Sequence, residues 1–145
     1  MCSSDLLGSD GQLVKTFDTA SGPLCFSPDG RLVAGTKWAE GRVTVWDATT
    51  GEQVGAWRAQ EGPVNAVAFS HGGHALATVG HDGAVRFWDV ATQRQLAEVR
   101  HEGPVHNLAL SPDGGTLATT GSNDRLVRLW EVSFLRALKD PEKSK

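Results

Sequence analysis

The sequence predicts an all-β protein in which one unit of short strands occurs three times. Three kinds of marker recur at intervals of about 40–43 residues and keep the same order in each unit. Internal periods of this length are typical of repeat architectures. The first marker is a Trp followed by an acidic residue, at 46–47, 88–89 and 130–131. The others are Gly-Pro before an aliphatic residue, at 22–24, 62–64 and 103–105, and a tight-turn tetrapeptide at 27–30, 70–73 and 111–114.

Each unit is predicted to contain up to four strands. The first strand follows Gly-Pro and ends at the turn, as in Val64–Phe69, where apolar residues lie between two turn signals. In the turn at residues 27–30, Pro presets φ and Gly supplies a positive φ. The second strand follows the turn, the third ends at the Trp, and a more polar fourth strand follows in the first two units. We expect burial to decrease from the first strand to the fourth.

The two ends of the chain differ from the repeating units. Residues 11–17 align with a fourth strand, which we expect to be the outer strand of a preceding or closing unit. Residues 134–139 have the apolar spacing of a short helix, and Pro141 would end it. Met1 to Leu6 match the translation of a widely used sequencing adapter, so we expect an artefact on a fragment of a larger protein. The expected segments are the adapter-like residues 1–6, the outer strand in 7–17, the three repeating units 18–58, 59–100 and 101–133, and the helix and tail in 134–145.

The repeated Trp-Asp pairs and turns resemble the WD-repeat β-propeller family over residues 12–131. Four strands per unit correspond to one radial blade of such a propeller. The resemblance implies three four-stranded blades plus one N-terminal outer strand, in an open arc rather than a closed ring, with the outer strand of the third blade missing. The turn at residues 26–30 is similar to that of bacterial members, so we expect a bacterial source.

The same resemblance implies a hydrogen-bonded tetrad of His, Ser or Thr, Asp and Trp inside each blade. A buried polar network of this kind fixes one geometry when every member has a partner. The third blade keeps all four residues, His101, Thr119, Asp124 and Trp130. The second blade has Gln in the His place, giving Gln60, Thr78, Asp82 and Trp88. The first blade has Ala20, Ala34, Glu40 and Trp46, so only its Trp is kept and we expect it to be less rigid.

No catalytic motif is visible in the sequence, and we expect neither an enzyme nor a cofactor. Nucleophile elbows, phosphate loops, Cys-x-x-Cys and His-Glu-x-x-His are all missing from it. His71 and His74 lie in a predicted turn, and a metal site would need at least one more ligand. The spacing of His101, Thr119 and Asp124 is explained by the tetrad without a nucleophile.

Loops at one rim of the ring are the expected partner-binding surface, because the family commonly binds partners there. Trp38 is the most notable residue in these loops, since exposed Trp and Arg side chains often anchor interfaces. It could instead fold back over the first blade, and the sequence leaves both possibilities open. The candidate rim residues are Lys37, Trp38, Glu40, Glu61, His81, Arg100, Glu102, Asn123 and Arg125.

Composition limits the class of partner. The 145 residues include 14 Lys and Arg against 17 Asp and Glu, a net charge of −3, which argues against a broadly basic nucleic-acid binder. No apolar stretch approaches the roughly 18 residues of a membrane helix, and no signal peptide is readable, so a cytoplasmic location is the default expectation. The two Cys residues give no disulfide framework.

These observations predict a non-catalytic scaffold that binds a protein or a peptide, with no nucleic acid and no membrane involved. The alternative is a sensor or regulatory propeller attached to an enzyme, such as a kinase or signalling ATPase, that lies upstream. The open faces of the outer blades also predict self-association of the chain.

Overall fold

A computed structural model describes residues 22–70, 72–121 and 125–132, together with the backbone of Leu6–Leu7 and Leu13–Lys15. In this part of the chain every regular element is a strand except one 3₁₀ turn at Trp38–Glu40. The strands form four antiparallel sheets, and within each sheet the strands that pair are consecutive in sequence. The predicted all-β class is confirmed.

Three of the sheets are propeller blades. The first blade contains β3 (Leu24–Phe26), β4 (Leu32–Lys37), β5 (Arg42–Asp47) and β6 (Gln53–Arg58). The second contains β7 (Val64–Phe69), β8 (Ala75–Gly80), β9 (Ala84–Asp89) and β10 (Gln95–Arg100). The third has three strands in the described residues, β11 (Val105–Leu110), β12 (Thr116–Gly121) and β13 (Val127–Glu131).

The fourth sheet lies at the start of the chain. The strand expected within residues 11–17 is β2 (Leu13–Lys15), which pairs with β1 (Leu6–Leu7). Leu6 is the last residue of the adapter-like hexapeptide. The helix expected at residues 134–139 falls outside the described residues.

The turn between the first two strands of each blade is held by a Ser side chain. Ser27 Oγ accepts a hydrogen bond from the amide of Leu32 at 3.0 Å and donates one to Asp29 at 2.7 Å. Gly30 adopts φ 76°, which a side chain would strain. In the second blade Ser70 Oγ accepts from the amide of Ala75 in the same way, although the Asp is missing there. Ser and Gly therefore suffice for this turn.

The segments that connect the blades are tied to both neighbours. The amide of Gln60 donates to the carbonyl of Gly41 in the first blade at 3.1 Å, while its side chain lies inside the second blade. The amide of His101 donates to Gly83 in the second blade at 2.8 Å, and its side chain lies in the third. One residue in each connection thus contacts two blades.

The core lies between the blades rather than within them. One cluster joins Val43 and Val45 of the first blade to Val64 and Leu76 of the second. A second cluster joins residues of the second and third blades. Burying an aliphatic side chain of this size contributes about 1.5–3 kcal/mol. Each blade therefore depends on its neighbour for stability.

Burial does not decrease steadily from the first strand to the fourth, as the sequence analysis expected. All six residues of β8 are buried, whereas Asn65 and Ala68 of β7 are partly exposed. The reason is that the innermost strands β3, β7 and β11 line an open cavity of about 370 Å³. The two middle strands are packed on both faces.

Candidate interaction surface

A chain of hydrogen bonds runs through the second blade. The indole Nε1 of Trp88 donates to Thr78 Oγ1 at 3.1 Å, and Thr78 Oγ1 donates to Gln60 Oε1 at 2.8 Å. Gln60 Nε2 then donates to Asp82 Oδ1 at 2.7 Å. The structure thus brings the four residues assigned to this blade together. Gln60 and Thr78 are 2% and 0% exposed, so neither has water as a substitute partner.

The carboxylate of Asp82 ends this chain. Burial would raise its pKa, but hydrogen bonds from Arg86 and from the amides of Ala84 and Glu61, with the charge of Arg86, outweigh burial and lower the pKa. Arg86 Nη1 lies 2.8 Å from Asp82 Oδ2. Asp82 is therefore held as an ionised acceptor whose two oxygens are both engaged.

Arg86 is a buried residue that the sequence analysis did not single out. Its side chain bridges Asp82 to Glu98 of β10, with 3.3 Å between Arg86 Nε and Glu98 Oε1. Arg100 Nε lies 2.8 Å from the other oxygen of Glu98. An Arg also lies two residues before the Trp in the third blade, at Arg128, and this recurrence could have identified Arg86 from the sequence.

The third blade repeats part of this arrangement. Trp130 Nε1 donates to Thr119 Oγ1 at 2.9 Å, and His101 Nε2 is hydrogen-bonded to the same oxygen at 2.6 Å. Arg128 Nη1 lies 3.2 Å from His101 Nδ1. Asp124, the fourth residue assigned to this blade, lies outside the described residues. Three of the four assigned residues are therefore in contact.

In the first blade the strand register changes one assignment. Gly35 pairs with Thr44, just as Thr78 pairs with Arg86, so Gly35 rather than Ala34 stands in the Thr place. A Cβ at Gly35 would lie 2.7 Å from the ring of Trp46, so the indole leaves no room for a side chain at this position.

The other assigned tetrad residues of the first blade are Glu40 and Ala20. Glu40 is exposed and forms an ion pair with Lys37, 3.7 Å apart. Ala20 lies outside the described residues.

The rim holds a row of rings that crosses all three blades. Trp38 and His81 meet edge to face with 6.0 Å between ring centroids. His81 and His106 meet in the same way at 6.3 Å. Trp38 Nε1 donates to Asn65 Oδ1 at 3.3 Å, and Asn65 Nδ2 donates to the carbonyl of Val105 at 2.8 Å. Trp38, His81, His106 and Asn65 are named the rim row below.

Trp38 and His81 are among the predicted rim residues, whereas Asn65 and His106 are not. Asn65 and His106 occupy matching positions after the Val of Gly-Pro-Val, and this match was the available signal. Glu61, Arg100, Glu102 and Arg125 are all exposed. Asn123 lies outside the described residues.

Within the described residues, no group of three or more His, Cys, Asp or Glu side chains could hold a metal ion. Cys25 is a free, half-buried thiol. None of the described helices is long and apolar enough to cross a membrane.

Comparison with known proteins agrees with the repeats. Residues 51–89 and 93–131 match the WD40 family, described as "WD domain, G-beta repeat", and together make up more than half of the chain. Pre-mRNA-processing factor 19 of Oryza sativa subsp. japonica is 42% identical over 57 residues, which are 39% of this chain and 11% of that protein. The chain thus spans a small part of this relative. On its repeat matches and its blades of antiparallel strands, this chain belongs to the WD40 repeat family.

Proposed function

We propose that this chain is a non-catalytic interaction module that binds a protein or peptide at the rim row. The observation that carries the proposal is the state of Trp38. Trp38 is 43% exposed, yet its indole N–H donates to Asn65 and its ring makes an edge-to-face contact with His81. A large exposed ring that is already fixed is a typical interface anchor.

A fixed anchor favours binding because little side-chain freedom is lost on contact. Immobilising a mobile side chain at an interface costs about 0.5–1.5 kcal/mol, and Trp38 would avoid most of that cost. Asn65 and His106 lie on innermost strands, so the scaffold itself supports the row.

The charges around the row favour a polypeptide over a polyanion. Lys37, Arg100 and Arg125 are balanced by Glu40, Glu61 and Glu102 among the described rim residues. A nucleic-acid or anionic membrane surface would be favoured by a predominantly basic patch. A mixed-sign rim suits the mixed charges of a protein surface.

The polar chains behind the rim are proposed to be structural. Both oxygens of Asp82 accept hydrogen bonds from groups of the fold, so this carboxylate is poorly placed to act as a base. Thr78 and Thr119 are buried and accept from a Trp, which leaves them unsuited to be nucleophiles. Their proposed role is to keep the blades rigid under the rim.

The rice relative is named as a factor in pre-mRNA processing, and the similarity covers 11% of its length. We base no splicing role on that match. The alternative, a regulatory propeller attached to a kinase or signalling ATPase, would use the same rim and differs only in what lies upstream.

A peptide selection with the purified chain tests the proposal. Peptides enriched on the wild type would be measured against Trp38→Ala, and against Val54→Ala, which alters an exposed residue of an outer strand. We expect Trp38→Ala to raise Kd by about tenfold or more, equivalent to about 1.4 kcal/mol, and Val54→Ala to leave Kd unchanged. Equal binding by Trp38→Ala and the wild type would contradict a role for the rim row.

A further inference from the structure

A cleft of about 320 Å³ lies between the first and second blades, where the end of β6 faces β9 and β10. This volume is at the lower end of the range of ligand pockets, about 300–1,000 Å³. Its lining includes two arginines, two glutamates and one indole, which are Arg58, Arg86, Glu61, Glu98 and Trp88. We call it the arginine cleft. All of these residues belong to the two blades that the structure describes in full.

Arg86 has one guanidinium nitrogen that the fold does not engage. The residue is 7% exposed. Its Nη1 donates to Asp82 Oδ2 and to the carbonyl of Ala59, and its Nε lies 3.3 Å from Glu98 Oε1. No described residue accepts a hydrogen bond from Nη2.

This nitrogen is reached from the cleft. Within the described residues, Trp57 Nε1 is the one fully buried side-chain nitrogen or oxygen without a partner, so Arg86 Nη2 is not fully buried. Arg86 lines the arginine cleft. Every N–H of a guanidinium is a donor, and an oxygen that enters the cleft can supply the acceptor that the fold does not.

Arg58 brings a second guanidinium to the same cleft. Its Nε donates to the carbonyl of Gln60 at 3.3 Å, which fixes the direction of the side chain. The described part of the chain provides no partner for its two terminal nitrogens. Arg presents its donors in a planar fork that fits the two oxygens of a carboxylate, so two such groups in one cleft favour an anion of this shape.

The negative charges of the cleft leave these donors available but limit the charge of a ligand. Both oxygens of Glu98 are engaged, one by Arg86 and the other by Arg100. Asp82, behind Arg86, also accepts hydrogen bonds through both oxygens. Glu61 is exposed and adds a further negative charge. A doubly charged phosphate group is repelled by these residues more strongly than a singly charged carboxylate.

The repeat shows that the pair of arginines is specific to one position. Arg58 lies two residues before Gln60, and the same place in the next connection is occupied by Val99. In the first blade, Thr44 stands in the place of Arg86. A residue that served only the fold of the repeat would be expected in every unit. In the described blades, the two arginines therefore come together only between the first and the second.

From this arrangement we propose that the arginine cleft binds an acidic side chain, Asp or Glu, of a partner polypeptide. The carboxylate accepts hydrogen bonds from Arg86 Nη2 and from the terminal nitrogens of Arg58. Trp88 and Ala59 lie in the wall of the cleft and pack against the methylene groups of the ligand, which favours a side chain over an inorganic anion. The described lining includes no residue of the rim row, so this site does not depend on the function proposed for that row.

An NMR titration of the purified chain tests the proposal. The probe is an end-blocked peptide of Gly and Ser with one central Glu, and the same peptide with Gln is the neutral control. The Nε–Hε signals of Arg58 and Arg86 should shift and saturate with the Glu peptide and stay in place with the Gln peptide. The indole signal of Trp38 should not move. Inorganic phosphate should bind more weakly than the Glu peptide.

Variants with matched charge changes locate the site. Arg58→Gln should raise Kd for the Glu peptide by about tenfold, the value of one hydrogen bond to a charged group. Arg94→Gln, the same change at an exposed site outside the cleft, should leave Kd unchanged. Glu61→Gln should lower Kd, because it removes a negative charge beside the ligand. All three sites are exposed, so these variants should fold, whereas Arg86 is left intact because it also holds the second blade together.

Four results would overturn the proposal. They are the absence of a saturable shift at Arg58 and Arg86, equal binding of the Glu and Gln peptides, an Arg94→Gln variant that loses as much affinity as Arg58→Gln, and tighter binding of inorganic phosphate than of the Glu peptide. An unchanged or higher Kd for Glu61→Gln would overturn it equally.

Discussion

Replacing Thr78 by Val removes one hydroxyl from the centre of the second blade and keeps the shape of the side chain. The change leaves the indole N–H of Trp88 without its acceptor and Gln60 Oε1 without its donor. Each buried polar group left unpaired costs about 1–3 kcal/mol, so we expect a loss of about 2–6 kcal/mol. This is a large fraction of the 5–15 kcal/mol by which a typical domain is stable, so a shift of this size is easily detected.

Thr36→Val is the matched control. Thr36 is as buried as Thr78, but its hydroxyl makes one 3.3 Å hydrogen bond to the carbonyl of Pro23. We expect a loss of about 1 kcal/mol, the value of an ordinary hydrogen bond. Both variants would be unfolded in urea at one protein concentration and compared by midpoint. Equal midpoints would refute the claim that the polar chain of the second blade matters more than a single hydrogen bond.

Three further outcomes follow from the geometry. Asp82→Asn should lower the urea midpoint at neutral pH, and the midpoints of the variant and the wild type should converge as pH falls. The reason is that a carboxyl whose pKa is lowered in the folded state loses its stabilising contribution when it is protonated. A difference in midpoint that persists in acid would contradict this. Trp57→Phe should lower the melting temperature less than Trp88→Phe, since the described residues offer no hydrogen-bond partner to the buried indole N–H of Trp57; the reverse order would contradict this. Gly41→Ala would bring a Cβ into the backbone carbonyl of Gln60, whereas a Cβ at Gly30 meets nothing, so Gly41→Ala should lower the urea midpoint more than Gly30→Ala does. Equal midpoints would show that the strain of a positive φ alone decides the cost.

The strand plan was predictable because its signals are local. A Ser at the start of the turn and a Gly with positive φ need only a few neighbouring residues to act, and Ser27 and Gly30 show this. The Trp-Asp pairs act in the same local way, since Asp89 Oδ1 accepts hydrogen bonds from the amides of Ala91 and Thr92, two and three residues further along the chain. Such contacts form wherever the short sequence occurs.

The assignment of Ala34 was wrong by one residue, although the turn gives the right count. Thr78 and Thr119 each lie eight residues after the Ser that opens the turn, and the same count from Ser27 gives Gly35, which lies opposite Thr44. The corresponding count from Gly22, across the short strand β3, would give Trp38 instead. Counting from the nearest turn is safer than counting across a strand of variable length.

Long-range neighbours were the least predictable part. Trp38 and Asn65 are 27 residues apart and meet only because two blades pack against each other. The sequence of either blade alone contains no sign of that contact. Arg86 was missed for a related reason, since its partners Asp82 and Glu98 lie on either side of it in sequence and surround it only in the folded blade.

The double attachment of Gln60 and His101 has a consequence for engineering this repeat. Each residue hydrogen-bonds through its backbone to one blade and through its side chain to the next, so it works as a rigid coupling and not as a linker. A unit excised at these residues would lose a backbone partner at one end or a buried side chain at the other. Copies added or removed to change the number of blades should instead be joined in the turns opened by Ser27, Ser70 and Ser111. Those turns are made within one blade, so a junction there would leave every coupling intact.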